Sequence, residues 1–237
     1  AKASDVITSI ECNNNEPING TVRRPNVEEI RRRTLNYFPT QNRAVTSTDY
    51  EAIAYAMPSE FGSIKSCRIV RDQDSLKRNL NMYVLAESTT GKLETANGAL
   101  KDNLKIWLNR YRMINDTVDI LDAKVVNIGI EFEVLSEGSN KFDVLEEAVR
   151  TLRKKYIRPF FIGERISITE IYSVLNSARG VADVTRVKVV TNSGGRYAQT
   201  GFDIDSFLAP DGRYVAAPDN VAFEIKFPNT DIRGSVK

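Results

Sequence analysis

The stretch Val126-Asn127-Ile128-Gly129-Ile130-Glu131-Phe132-Glu133-Val134 decides the fold class. Apolar side chains fill every second position, and Asn, Gly and Glu fill the gaps. Successive side chains of a strand point to opposite faces, so this pattern describes a strand apolar on one side and polar on the other. A half-buried strand needs a cover. Leu145, Ala148, Val149, Leu152 and Tyr156 recur at helical spacing just downstream and supply one. Ser167-Ile168-Thr169-Glu170 then has the form of a capping box. The helix it opens carries Ile171, Val174 and Leu175 inward and ends near Gly180, before a strand from Val184 to Val190.

A similar unit lies upstream. Pro25-Asn26-Val27-Glu28-Glu29 opens a short helix with Ile30 and Leu35 inward and Arg31, Arg32 and Arg33 around it. Thr46-Ser47-Thr48-Asp49 begins a second helix with Tyr50, Ile53, Ala54 and Met57 on one face, stopped by Pro58 and Gly62. Ile64 to Arg71 and Leu80 to Glu87 read as strands joined by a polar turn. A helix from about Ala96 to Arg112 follows, with Leu100, Leu104, Trp107, Leu108 and Tyr111 at helical spacing. The order helix, Gly, strand occurs after Thr48 and again after Thr169. The sequence therefore predicts an α+β protein with two small related α+β modules, 46–122 and 123–192. An extended amino-terminal arm and short helix occupy 1–45. A loop-rich carboxy-terminal extension occupies 193–237, with Val221, Phe223, Ile225 and Phe227 as its final strand.

Composition narrows the function. The 237 residues hold 33 basic and 31 acidic groups, a balance that argues against a sequence-independent grip on nucleic acid or anionic lipid. No apolar run approaches the ~20 residues of a membrane span, and no signal peptide opens the chain. It starts at Ala1 rather than Met, which suggests a piece of a longer protein. Cys12 and Cys67 are read as reduced thiols, too far apart for a short metal motif. Histidine is absent, which removes Ser-His-Asp and Cys-His activation and imidazole metal ligands. Ala86 to Leu93 fails as a phosphate loop, because Leu93 stands where Ser or Thr would hold magnesium. Gly194-Gly195 lacks the rest of a dinucleotide fingerprint. Asp203, Asp205, Asp211 and Asp219 do not follow the calcium-loop pattern. Glu131 and Glu133 read as a solvated strand face. No catalytic residue, metal or cofactor is expected, and neither are nucleic-acid or membrane partners. The alternative is a nucleic-acid-binding α+β module built on Arg23, Arg24, Arg31, Arg32 and Arg33, although Glu28 and Glu29 interrupt that cluster.

Asn42-Arg43-Ala44-Val45-Thr46 followed by Asp49-Tyr50 resembles the hallmark segment of the J-like baseplate proteins of contractile phage tails. Ile166-Ser167-Ile168-Thr169 with Ala178-Arg179-Gly180-Val181-Ala182-Asp183-Val184 resembles that family's terminal helix, turn and strand. The likeness covers roughly residues 20 to 190. Together with the tail from Gly201 to Lys237, it is most similar to the wedge-subunit branch of T4-type baseplates. The resemblance implies the carboxy-terminal part of a structural subunit that joins wedges into a ring around the hub and rearranges on sheath contraction. It implies a place in the virion tail baseplate after assembly in the host cytoplasm. Other wedge subunits and the sheath-initiating and hub-proximal tail proteins are the implied partners.

A homodimer is also expected. Its candidate contact is Phe202, Phe207, Leu208 and Tyr214, four large side chains in a loop otherwise rich in Gly, Asp and Pro. The strand assignment makes its own prediction. Phe132→Asp places an unpaired charge on the apolar face and is expected to cost several kcal/mol, whereas Glu133→Ala changes stability little. Urea midpoints measure both, and a parent-like midpoint for Phe132→Asp refutes the face assignment.

Overall fold

The computed structural model describes residues 27–72, 79–88, 90–138, 140–157 and 160–237. The expected arm, Arg23, Arg24, Asn26 and Cys12 lie outside those residues. The protein is α+β. Its elements begin with α1 (Val27–Tyr37), α2 (Ser47–Tyr55), β1 (Ser66–Arg71), β2 (Asn79–Glu87), β3 (Leu93–Glu94), α3 (Gly98–Leu108) and β4 (Thr117–Asp122). The chain continues through β5 (Lys124–Ser136), α4 (Lys141–Lys155), β6 (Ile166–Ser167), α5 (Ile168–Asn176) and β7 (Val181–Thr191). It ends with β8 (Tyr214–Val215), β9 (Val221–Glu224), α6 (Pro228–Asp231) and β10 (Ile232–Val236).

The stretch quoted above is the middle of β5. Val126, Ile128, Ile130, Phe132 and Val134 are all buried, with Phe132 at 3% exposure. β7 runs antiparallel along β5, and β10 runs parallel to it on the far side. β9 pairs parallel with the first four residues of β5. α4 and α5 complete this core through Ala148, Leu152, Ile171 and Leu175. In the first sheet β2 plays the part of β5. It pairs antiparallel with β1 and parallel with β4. Tyr50 and Ile53 of α2 and Leu100, Leu104 and Leu108 of α3 pack with Met82 of β2. The helix-to-strand echo is present in both units, α2 to β1 and α5 to β7, and Gly62 and Gly180 both take positive φ (108° and 85°). Leu85, Leu93, Ala123, Ile162 and Ala222 form an apolar seam where the two sheets meet.

The hallmark-like segment has a local physical explanation. Asn42 sits at φ 62°, a left-handed conformation that Asn tolerates better than most residues. Ala44 is fully buried, and its amide donates to the Tyr111 carbonyl at 2.9 Å. The Thr46 hydroxyl accepts from the Asp49 amide while the Asp49 carboxylate accepts from the Thr46 amide, a complete capping box. The Tyr50 hydroxyl donates to the buried Asp116 carboxylate at 2.9 Å.

Four readings need correction. Ile30 and Leu35 of α1 face outward, 49% and 63% exposed. The helix instead turns Glu29, Arg33 and Asn36 inward because the surface beneath it is polar and aromatic. Lys65 lies 3.8 Å from Glu29 and 3.2 Å from Glu87, and the Arg33 guanidinium lies over the Tyr55 ring. The β5 face expected to be polar and wet is wet only in its second half, since Asn127 and Gly129 are buried. The last strand is not 221–227. β9 stops at Glu224, Pro228 leads a helical turn in which the Asp231 carboxylate accepts from the Phe227 amide, and β10 follows. At α5 only half of the expected box forms. Ser167 caps the Glu170 amide, and the Glu170 carboxylate pairs with Lys155 at 2.6 Å.

Among the described residues no strand pairs with the outer edge of β7, and that edge is partly spent. The Val187 amide donates to the Tyr172 hydroxyl at 3.1 Å, and the Val184 amide donates to the Asp183 carboxylate at 2.8 Å. The β5–β7 register also shifts beside Glu133 and Leu135.

Gly234 tests the packing of β10. A Cβ there would run into the Phe132 ring and stand 2.9 Å from Leu145 Cδ1, so a side chain fits only if those two groups give way. Gly234→Ala is expected to destabilise the protein by ~1–3 kcal/mol. Phe132→Leu in the same chain should recover part of that loss, and additive urea midpoints for the pair would reject the contact.

Candidate functional site

Among the described residues, no three His, Cys, Asp or Glu side chains gather as a metal site would require. Burial pushes the Cys67 thiol up, which makes it a poor nucleophile. Two of the loop acids have clear partners. Asp203 accepts from the Asp205 amide and the Ser206 hydroxyl, and Asp219 pairs with Arg68 at 3.3 Å. Glu131 and Glu133 lie between basic cross-strand neighbours, Lys188 and Arg233 for the first and Arg186 for the second. Lys237 bonds Glu133 at 2.7 Å and holds its carboxyl below the usual range.

The structure separates the four apolar candidates into two groups. Phe202 is half-buried, stacked on Phe207 with centroids 4.8 Å apart and edge-on to the core residue Phe223 at 5.5 Å. Tyr214 is half-buried in β8, paired with Ser167, and the Arg165 guanidinium lies 5.3 Å from its ring centre. Those two fold back onto their own sheet. Phe207 and Leu208 remain 38% exposed each, on the leading arm of a hairpin-like turn that reverses at 210–213. That turn is closed by the Ala216 amide on the Phe207 carbonyl and the Ala209 amide on the Tyr214 carbonyl. The arrangement presents a small apolar knob on a braced loop.

What braces the loop is a buried polar node. The Asn127 side-chain oxygen accepts from the Ala198 amide at 2.7 Å. Its nitrogen donates to Glu224 at 2.8 Å, and the other Glu224 oxygen accepts from the Leu93 amide at 2.8 Å. Beside it, Asp231 accepts from Asn192 and from the Tyr197 hydroxyl. Burial pushes the Glu224 carboxyl above the usual range, although its two hydrogen bonds pull the other way. Sequence reading missed this node. Asn127 looked like the wet side of a strand, and Glu224 like the polar member of an alternation.

No family model matches the chain, and no curated protein matches it. Among solved structures, it is similar to a chain in the cryo-EM structure of the anti-feeding prophage (AFP) baseplate, 6-fold symmetrised. The TM-score is 0.51 at 11% identity, over 85% of this chain and 42% of that one. The likeness is therefore one of fold, and this chain spans less than half the length of its neighbour.

The node makes a pH-dependent prediction. A carboxyl raised by burial contributes stability that is fully present below its unfolded value, ~4.3, and lost as pH rises through its folded value. Asn127→Asp keeps the acceptor for Ala198 and sets a second carboxylate against Glu224. It is expected to cost ~3 kcal/mol at neutral pH. The gap to the parent should close towards pH ~4. A melting-temperature difference that does not vary with pH would show that the two groups are not buried together.

Proposed function

We propose that this chain is a structural subunit of a contractile-tail baseplate, in which it links wedges into a ring around the hub and acts without catalysis. The fold likeness to an AFP baseplate chain over 85% of the residues carries this reading. The hallmark-like segment supports it, because its residues serve the fold as a unit: a left-handed Asn42, a buried Ala44, a Thr46–Asp49 cap and an anchored Tyr50. In this role the chain sits in the virion tail. It pairs with a second copy and contacts other wedge subunits and the sheath-initiating and hub-proximal proteins. Rearrangement on sheath contraction would move its two sheets as packed bodies, with partner contacts exchanging at their surfaces.

The location is tested by imaging tail particles that carry a tagged copy of the protein. Density for the tag at the baseplate is expected, and tag-free particles with intact baseplates would end the proposal. The homodimer is assigned to the knob formed by Phe207 and Leu208. Changing both to Ser is expected to weaken the dimer in sedimentation without altering the circular dichroism spectrum. A double variant that dimerises like the parent removes this loop from the interface, and a parent that is monomeric at high concentration removes the dimer.

A further inference from the structure

The polar underside of α1 does not close completely on the protein. It leaves a cavity of about 140 Å³ lined by Arg32 and Arg33 of α1, Glu51 and Tyr55 of α2, Arg68 of β1, and Phe161. Three guanidiniums thus share one small space with a single carboxylate. That carboxylate is already engaged, since Glu51 accepts from the Ile69 amide at 3.2 Å and lies 3.9 Å from Arg68. Arg68 turns its Nε to Asp219. The other two arginines lie on rings, Arg32 at 3.9 Å from the Phe161 centre and Arg33 at 4.6 Å from the Tyr55 centre. Stacking occupies the flat face of a guanidinium and leaves its N–H edge free for an in-plane acceptor. Among the described residues the Arg33 Nη2 atom has no hydrogen-bond partner, and it is sealed from solvent. A buried donor without an acceptor is rare in a finished structure.

We propose that this cavity receives one carboxylate, supplied by an aspartate or glutamate side chain of a neighbouring protein chain. A carboxylate presents two coplanar oxygens, the shape that a guanidinium edge matches with paired hydrogen bonds. The volume suits the tip of a side chain, and Ala52 and Ile162 in the wall suit its methylene groups. Glu51 in the same wall repels a doubly charged phosphate more strongly than a singly charged carboxylate. The inference deepens the assembly role by naming the chemistry of one partner contact, and it rests on that role for the source of the carboxylate.

The test uses the whole chain with isotope-labelled arginine side chains, titrated with the capped peptide acetyl-Gly-Glu-Gly-amide and observed by nuclear magnetic resonance. Saturable shifts at Arg32 and Arg33 are expected, with acetyl-Gly-Gln-Gly-amide weaker by about tenfold. Arg33→Lys keeps the charge but removes the fork, and should weaken the glutamate peptide by about tenfold. If Arg33→Lys loosens α1, as judged by circular dichroism, Arg68→Lys on the strand side is expected to weaken binding in the same direction. The proposal is overturned if no saturable shift occurs, if the glutamine peptide binds as well, or if inorganic phosphate binds more tightly than the glutamate peptide. Any of these outcomes leaves the baseplate role intact, because that role is decided by where the protein sits in the particle.

Discussion

The side chain of Asn127 is the point on which the architecture turns. Both ends of its amide are used, one by the backbone of the carboxy-terminal excursion and one by Glu224 of β9. Glu224 in turn reaches the backbone of β3 in the first sheet. A carboxylate at 5% exposure is tolerable only if its oxygens are bonded. The node therefore fixes four segments at once, because releasing any of them strands a buried charge or a buried amide. The apolar seam around Leu85, Ile162 and Ala222 supplies burial between the sheets, but apolar contacts have little directional preference. The polar node supplies the register.

The extension from 193 onward is structural rather than decorative. It returns two strands to β5, one along each half, and the second fits only because Gly234 leaves room for the Phe132 ring. The second sheet is thus completed by residues about a hundred positions away from the strand at its centre. Such long-range pairing lets the sheet be assembled only after most of the chain is present.

β5, α2 and α5 were legible in the sequence because their patterns are local. Alternation places Phe132 inside, and Thr46 with Asp49 marks a helix start whatever lies around it. The orientation of α1 was not legible. A stripe holding Ile30 and Leu35 is ordinarily read as the inner face, and nothing in residues 27–37 announces that Lys65, Tyr55 and Phe161 wait underneath. β10, with the sequence Ile-Arg-Gly-Ser-Val, carries too weak a pattern to compete with its loop-like surroundings. In the candidate contact, composition singled out the four large side chains. It could not separate Phe202 and Tyr214, which lie against their own module, from Phe207 and Leu208, because only the tertiary path of the loop does that. The arginine cavity was legible only as a run of like charges, since Arg68 and Phe161 join it through folding.

The outer edge of β7 has a bearing on how copies of this protein can live close together. Two of its amides are already bonded to side chains, and a register shift twists the strand midway. A neighbouring copy therefore finds no clean template for adding a strand along β7. Along that edge association is left to side chains, whose contribution single substitutions can tune. Contacts of that kind can be broken one by one, whereas a continuous backbone ladder would weld its two partners together.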